Sequence, residues 1–262
     1  MFEELLEDIA QKNGLREVNT YLKLTAGIGA IVLCLLSTSY IPPLFIAAVL
    51  SAAVLALARI DAKTYAGLFV LPFTFGVMGV AGIILITGGT DILWQWQLTP
   101  DLSLSVTRES INQGIFVFCR IVGGTTALCF ISLTTPITDI FIAFRQCRLP
   151  EAVIELMMII YRTIFILMDH VIQIYHAQVM RLGYSGYRES IQSFASLCGA
   201  AFIASWDAGD DLIRAMDARC YNGKFALLGE SRPVECIPGL TVVVFLALSA
   251  TVVTISGNLT LF

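Results

Sequence analysis

The sequence predicts an all-α polytopic membrane protein with about five transmembrane helices plus two long cytoplasmic helices, and three observations predict it. First, 57% of the 262 residues are hydrophobic and only 14% charged, with a mean hydropathy of +0.81, far from the balance of a soluble domain. Second, five apolar runs, at 24–40, 44–58, 66–87, 111–133 and 237–256, span or nearly span about 30 Å of hydrocarbon. Third, a single polar block, 134–236, carries two long stretches of helical periodicity. The chain therefore divides into an amphipathic opening segment with four spans (1–133), a cytoplasmic helical region (134–236) and a last span (237–262).

Residues 1–23 place Phe2, Leu5, Leu6 and Ile9 on one helical face and acids on the other, which predicts a helix lying on the membrane surface. Glu3, Glu4, Glu7 and Asp8 stand where a signal peptide carries basic residues, so the segment reads as retained. The second span is short unless Pro42 and Pro43 lie within the interface. The third contains Pro72 with Gly76, Gly79 and Gly82, a set that kinks a helix and lets a neighbouring helix approach closely. Between the third and fourth spans, Trp94-Gln-Trp96-Gln-Leu98 and Leu102-Ser-Leu104-Ser-Val106 alternate on either side of Thr99-Pro100-Asp101, the pattern of a small hairpin at headgroup level. Arg120 sits some ten residues into the fourth span. An intramembrane arginine faces the bundle interior and takes a partner. No acid occupies a mid-span position in the other spans, so backbone carbonyls or lipid headgroups must serve.

From Thr134 the pattern changes. Thr134-Thr135-Pro136 is a helix-start signal for a short segment, 137–147, with Ile140, Phe141 and Phe144 on one face. Leu149-Pro150 then breaks and restarts the chain. No Gly or Pro follows before Met180, which predicts a helix about 45 Å long at 1.5 Å per residue. Glu155, Arg162, Asp169 and His170 interrupt its apolar face and are costly against lipid, so the helix is expected to lie obliquely on or in the cytoplasmic leaflet. A second such helix runs over 189–219, with Phe194, Leu197, Ala201, Trp206, Leu212 and Met216 apolar.

These two helices end alike. Ala177-Gln-Val-Met-Arg181-Leu-Gly183-Tyr184-Ser-Gly186 and Ala215-Met-Asp-Ala-Arg219-Cys-Tyr221-Asn-Gly223 each place an arginine four residues after an alanine, on one helical face, and then a Tyr and Gly that stop the helix. Lys and Arg distribution orients the chain: Lys12, Arg16 and Lys23 precede the first span, Arg59 and Lys63 follow the second, and 134–236 holds nine basic residues, while the intervening loops hold Arg108 alone. Alternation of basic and non-basic loops places the N-terminus and the 134–236 block in the cytoplasm and the C-terminus outside. The block also holds eleven acids, so it is no general basic patch, and nucleic acid is not a partner. Recognition falls to individual arginines.

Other chemistry finds little support. The seven cysteines show no C-x-x-C spacing and read as packing residues, with neither a disulfide framework nor a metal site. His170 and His176 are six apart, off one helical face for chelation. Asp207-Ala-Gly-Asp210-Asp211 suggests an alternative, an intramembrane Mg-dependent prenyl-transferring enzyme, but no second acidic cluster faces it. No His-Glu-x-x-His and no nucleophile elbow is present.

Taken in order, the four spans, Thr-Thr-Pro at 134–136, Arg145 before Leu149-Pro150, the Arg181 and Arg219 segments and the last span resemble the transmembrane T component of energy-coupling factor (ECF) importers. Within it they resemble the cobalt/nickel (CbiQ) branch, as does the opening stretch from Asn13-Gly-Leu15 to Leu22-Lys23-Leu24, without that branch's usual His-Pro. The resemblance implies a multi-pass subunit of the cell membrane that is not itself an enzyme and holds no cofactor. It implies two ATP-binding-cassette ATPase subunits beneath the bilayer, gripped by the two long coupling helices, and a separate S component that binds substrate, most often cobalt or nickel; a vitamin-type importer is the alternative. It assigns ATPase contact to Arg181, Gly183, Tyr184, Ala215, Arg219, Tyr221 and Gly223, and structural or coupling roles to Pro136, Arg145 and Pro150; Arg120, from its place inside the fourth span, is a candidate for structural support or for S-component contact. The commonest family form has Gly directly after the arginine; here Leu182 and Cys220 stand there.

Overall fold

The computed structural model describes residues 9–86, 92–99, 102–146, 149–221 and 236–257. Among the described residues it is all-α apart from one hairpin. In chain order the elements are α1 (Thr20–Leu36), α2 (Ile41–Ala52, continued by a π-turn over Ala53–Leu57), α3 (Ala62–Ile86), β1 (Ile92–Thr99), β2 (Leu102–Thr107), α4 (Arg108–Thr134), α5 (Ile137–Gln146), α6 (Glu151–Met180), α7 (Tyr187–Ala218) and α8 (Cys236–Ile255). Two compact units result: residues 1–140 with 230–262, and residues 141–229.

In the first unit α3, α4 and α8 are long and apolar enough to cross a membrane, whereas α1 and α2 are shorter apolar helices. The run at 24–40 therefore ends as a helix earlier than its hydropathy suggests. Asn19 starts α1 by accepting from the Tyr21 amide. Ser37 then takes extended dihedrals as the C-cap, and its hydroxyl donates to the Ser39 carbonyl at 2.7 Å. Pro42 and Pro43 open α2, where proline's fixed φ suits the first turn, and both are buried.

The alternating stretch forms the hairpin, pairing Trp94 with Val106 and Trp96 with Leu104 in antiparallel register. It feeds directly into α4 through a reciprocal capping box. The Thr107 hydroxyl accepts from the Ser110 amide, and the Ser110 hydroxyl accepts from the Thr107 amide. Helix α4 is the core of the unit: over its most apolar stretch 39% of residues are buried, against 6% in α3 and in α8. Ala127, Cys129, Phe130 and Leu133 of α4 meet Ala26, Ala30 and Cys34 of α1 and Ile46, Leu50 and Val54 of α2 in one cluster. Close approach demands small residues here, since a Cβ on Gly123 would fall 2.8 Å from the Pro43 carbonyl oxygen. Helix α3 packs on α4 through the edge-to-face pair Phe73–Phe118 and at Gly76, where an added Cβ would come into ordinary contact with Ile121 at 3.4 Å. Gly79 and Gly82 do not extend that contact: a Cβ on either would meet nothing within 4 Å. The glycine series of α3 thus divides into one packed position and two open ones.

Two cations tie α1 to α4, one at each end of α1. Lys23, in the first turn of α1 and 2% exposed, donates from Nζ to the carbonyl of Thr134, the last residue of α4, at 3.0 Å. Arg120 of α4 donates from Nη2 to the Ser37 carbonyl, at the C-cap of α1, over 2.6 Å, and stacks its guanidinium 4.4 Å from the Phe116 ring centroid. Each cation meets the partially negative end of the other helix, where the last carbonyls lack intrahelical donors. Arg120→Leu is expected to lower stability by about 1.5–3 kcal/mol, the range for a hydrogen bond to a charged group. An earlier unfolding midpoint in detergent would register it, with Arg120→Lys intermediate.

Candidate functional site: two arginine-tipped helices

The second unit is built on α6 and α7, with the last part of α5 leading in. Phe141 of α5 meets Tyr161 edge-on, and Tyr161 meets Phe165 in the same way. Leu149-Pro150 separates α5 from α6, with Pro150 as N-cap. Arg145 and Glu151 face each other across this break at 3.5 Å, both about half exposed, so the pair orients the connection and adds little stability. Pro136 lies at the start of α5, its carbonyl accepting from the Asp139 and Ile140 amides.

Both long helices stop at the arginine itself, which corrects the assignment of the stop to the following Tyr and Gly. Arg181 is the C-cap of α6 and Arg219 the C-cap of α7. The next residue takes left-handed dihedrals in each case, Leu182 with φ 59° and Cys220 with φ 54°. At the first tip the Leu182 amide donates to the Val179 carbonyl at 3.0 Å and Gly183 to Gln178 at 2.9 Å; at the second, Cys220 donates to Asp217 and Tyr221 to Met216, both at 3.0 Å. This is the Schellman arrangement made twice, the C′ amide bonding back to C2 and the C″ amide to C3. The place after the arginine is therefore the left-handed one, which explains why glycine suits it. By the same superposition Gly183 matches Tyr221, and Tyr184 and Tyr221 are not equivalent. Gly223 lies outside the described residues.

The tyrosines turn inward. Tyr184 donates to the Gln178 side-chain oxygen at 2.9 Å and packs on Tyr175, ring centroids 5.2 Å apart. Gln178 donates to the Ser193 carbonyl, and the Ser193 hydroxyl donates to the Gly183 carbonyl. A Cβ on Gly183 would sit 2.6 Å from that hydroxyl oxygen, so glycine is required by this clamp. At the second tip the Tyr221 hydroxyl donates to Oε2 of Glu155 at 2.8 Å, and Glu155, at the start of α6, is buried. Partial desolvation, then the hydrogen bond and charge of Glu155, push the Tyr221 hydroxyl above its ordinary value. The α6–α7 pair is thus pinned at both ends. Glu155 and Arg181 are 26 residues apart, about 39 Å along the helix, which separates the two pins.

What points outward is the arginine of each tip. Arg181, Arg219 and Ala215 are exposed, and among the described residues neither guanidinium has a hydrogen-bond or ion-pair partner. Met180 and Leu182 flank the first arginine, exposed by 85% and 74%. Ala218 and Cys220, both exposed, flank the second. Asp211 and Arg214 approach only to 3.9 Å on a well-solvated face, and among the described residues no group of three or more His, Cys, Asp or Glu is placed to hold a metal ion. Sequence reasoning did not single out Gln178, Ser193 or the Glu155–Tyr221 pair as parts of the tips; the visible signal was Glu155, an acid in the first turns of an otherwise apolar stretch.

A unit with three apolar helices of membrane-crossing length, followed by a pair of long helices with like-capped basic tips, defines an α-helical polytopic membrane protein. The chain belongs to the CbiQ family of cobalt transport proteins, whose family model matches residues 11–227. It is 36% identical over 246 residues to a fused cobalt transport protein, CbiMQ, of Methanocorpusculum labreanum, a match covering 94% of this chain and 41% of that relative, so the chain spans well under half of its length. An uncharacterized protein of Methanocaldococcus jannaschii is 31% identical over 87% of this chain and 84% of its own length. The energy-coupling factor transporter transmembrane protein EcfT of Ruminiclostridium cellulolyticum is 29% identical over 60% of this chain and 58% of its own.

Two outcomes check the tip geometry. Leu182→Gly or Cys220→Gly, at exposed left-handed positions, is expected to stabilise the protein by about 0.5–1 kcal/mol, seen as a raised unfolding midpoint. Tyr221→Phe is expected to lower the unfolding midpoint by removing one donor from the buried Glu155. Because the folded-state pKa of Tyr221 is raised, this contribution is fully present below the unfolded value of about 10 and is lost as pH rises through the folded value. The stability difference between wild type and Tyr221→Phe should then be constant from about pH 7 to 9.

Proposed function

We propose that the chain is the transmembrane coupling subunit of an ECF-type importer, linking ATP hydrolysis in two ATP-binding-cassette partners to uptake of a substrate held by an S component. The observation that carries the reading is the pair of identically capped helix ends, each presenting an exposed arginine. Two grips suit two ATPase subunits. An arginine fork makes bidentate, charge-assisted bonds to carboxylates, and losing one partner of a buried interfacial pair costs about 2–5 kcal/mol. Closure of the ATPases on ATP would displace the tips, and a helix pair pinned at both ends would pass that displacement on as a body.

Cobalt is the favoured cargo, supported by the family description and the CbiMQ relative; nickel or a vitamin is the alternative. The EcfT relatives support the ATPase and S-component partnership. The fused relative, more than half of which lies outside the match, supports a membrane partner working beside this chain. The positive-inside pattern supports a cytoplasmic N-terminus and an outside C-terminus. Catalysis belongs to the ATPases, and this chain supplies no catalytic residue.

Charge reversal at both tips, Arg181→Glu with Arg219→Glu, is expected to abolish ATP-driven uptake in proteoliposomes holding the whole complex, while the subunit still inserts. Full uptake by that double variant would overturn the coupling assignment.

A further inference from the structure

We propose that Asn13 and Lys23 are positioning residues for coupling: they clamp the C-terminal carbonyls of α4, making the 134–140 step the fixed root of the coupling segment. The inference rests on the coupling reading above. Asn13 Nδ2 donates to the Ala10, Leu133 and Thr134 carbonyls at 2.7, 3.1 and 3.2 Å, and Lys23 Nζ donates to the Thr134 carbonyl at 3.0 Å. Both side chains are at least nine-tenths buried. A segment more than 100 residues upstream thereby closes the end of the central helix.

The chemistry argues for specification of a geometry rather than for stability. A lysine near a helix end at the membrane surface ordinarily extends its ammonium to water, and burying that charge is expensive even when it is paired. Here it is spent on a helix C-terminus. In the same clamp the Asn13 Oδ1 and Thr135 Oγ1 atoms are buried and have no hydrogen-bond partner among the described residues, a cost that an apolar repacking of this end would avoid. The retained polar groups fix one arrangement of the last turn of α4.

The place of the clamp gives that arrangement its use. Directly after Thr134 and Thr135, Pro136 begins α5, and the first of the two stretches of the compact membrane unit ends at Ile140, the unit resuming at Glu230. A displacement travelling back along the chain from the 141–229 unit reaches residues 134–140 first. A helix end with free carbonyls would yield by unwinding its last turn; a clamped end passes the displacement into α4.

The test uses the complete complex in proteoliposomes, reading ATP hydrolysis and uptake of radioactive cobalt(II) together. Lys23→Met and Asn13→Ala are expected to hold ATP hydrolysis within about twofold while uptake per ATP falls about tenfold, and Lys23→Arg to recover most of the ratio. Should Lys23→Met not insert, Asn13→Ala, which keeps the ammonium, reads the same ratio. An unchanged ratio beside a competent wild type would overturn the clamp alone, as would parallel loss of hydrolysis and uptake. A wild-type complex that shows ATP-driven uptake of neither cobalt(II) nor nickel(II) nor a vitamin, each offered in turn, would overturn the coupling reading and the clamp with it.

Discussion

The membrane unit depends on a reciprocal interaction in which each of two helices closes the other's C-terminus with a cation. Lys23 of α1 holds the end of α4, and Arg120 of α4 holds the end of α1. Hydrocarbon offers no water to satisfy a terminal carbonyl, so an apolar helix that ends in or near the bilayer must find its donors in the protein. Antiparallel packing supplies the geometry, because the start of one helix lies beside the end of its neighbour. The same two contacts set the axial register of α1 on α4: a slide by one turn, 5.4 Å, would break both. Apolar packing among Ala26, Ala30, Ala127 and Leu133 is tolerant of such slides, and the cations are not.

The coupling pair follows a comparable rule with different groups. Helices α6 and α7 are held at one end by Gln178, Ser193 and Tyr184 and at the other by Glu155 and Tyr221. Pinning at both ends leaves the exposed arginines as the parts free to engage something else. The tips share a cap but differ in their neighbours: Met180 and Leu182 flank the first arginine, and the smaller Ala218 and Cys220 flank the second. Identical partner surfaces would meet them unequally.

Much of this was legible in the sequence, for identifiable reasons. Long stretches without Gly or Pro and with regular apolar spacing gave α6 and α7 nearly to the residue, because period and breakers are local properties. Leu149-Pro150 and Thr134-Thr135-Pro136 marked boundaries in the same way. The α1 terminus was less legible, since hydropathy continues through Tyr40 while hydroxyl hydrogen bonds at Ser37 and Ser39 end the helix. Nothing local pointed to Lys23 meeting Thr134 or Tyr221 meeting Glu155, contacts 111 and 66 residues apart. At the tips the arginines were visible, but the left-handed conformation was not, because Leu and Cys carry no signal for it.

That conformation sets how freely a tip can vary. If the bend after the arginine is held by two backbone hydrogen bonds, the letter at that place is open to change at a cost of about 1–2 kcal/mol relative to an ordinary right-handed position. Leu182, 74% exposed, shows what the freedom offers: a bulky apolar side chain beside the arginine, on the same backbone bend. A lineage can then adjust the fit of each tip to a diverging partner, one residue at a time, without redrawing the helix end. A pattern search that demands glycine after the arginine would pass over such tips, whereas one keyed to the backbone angle would find them.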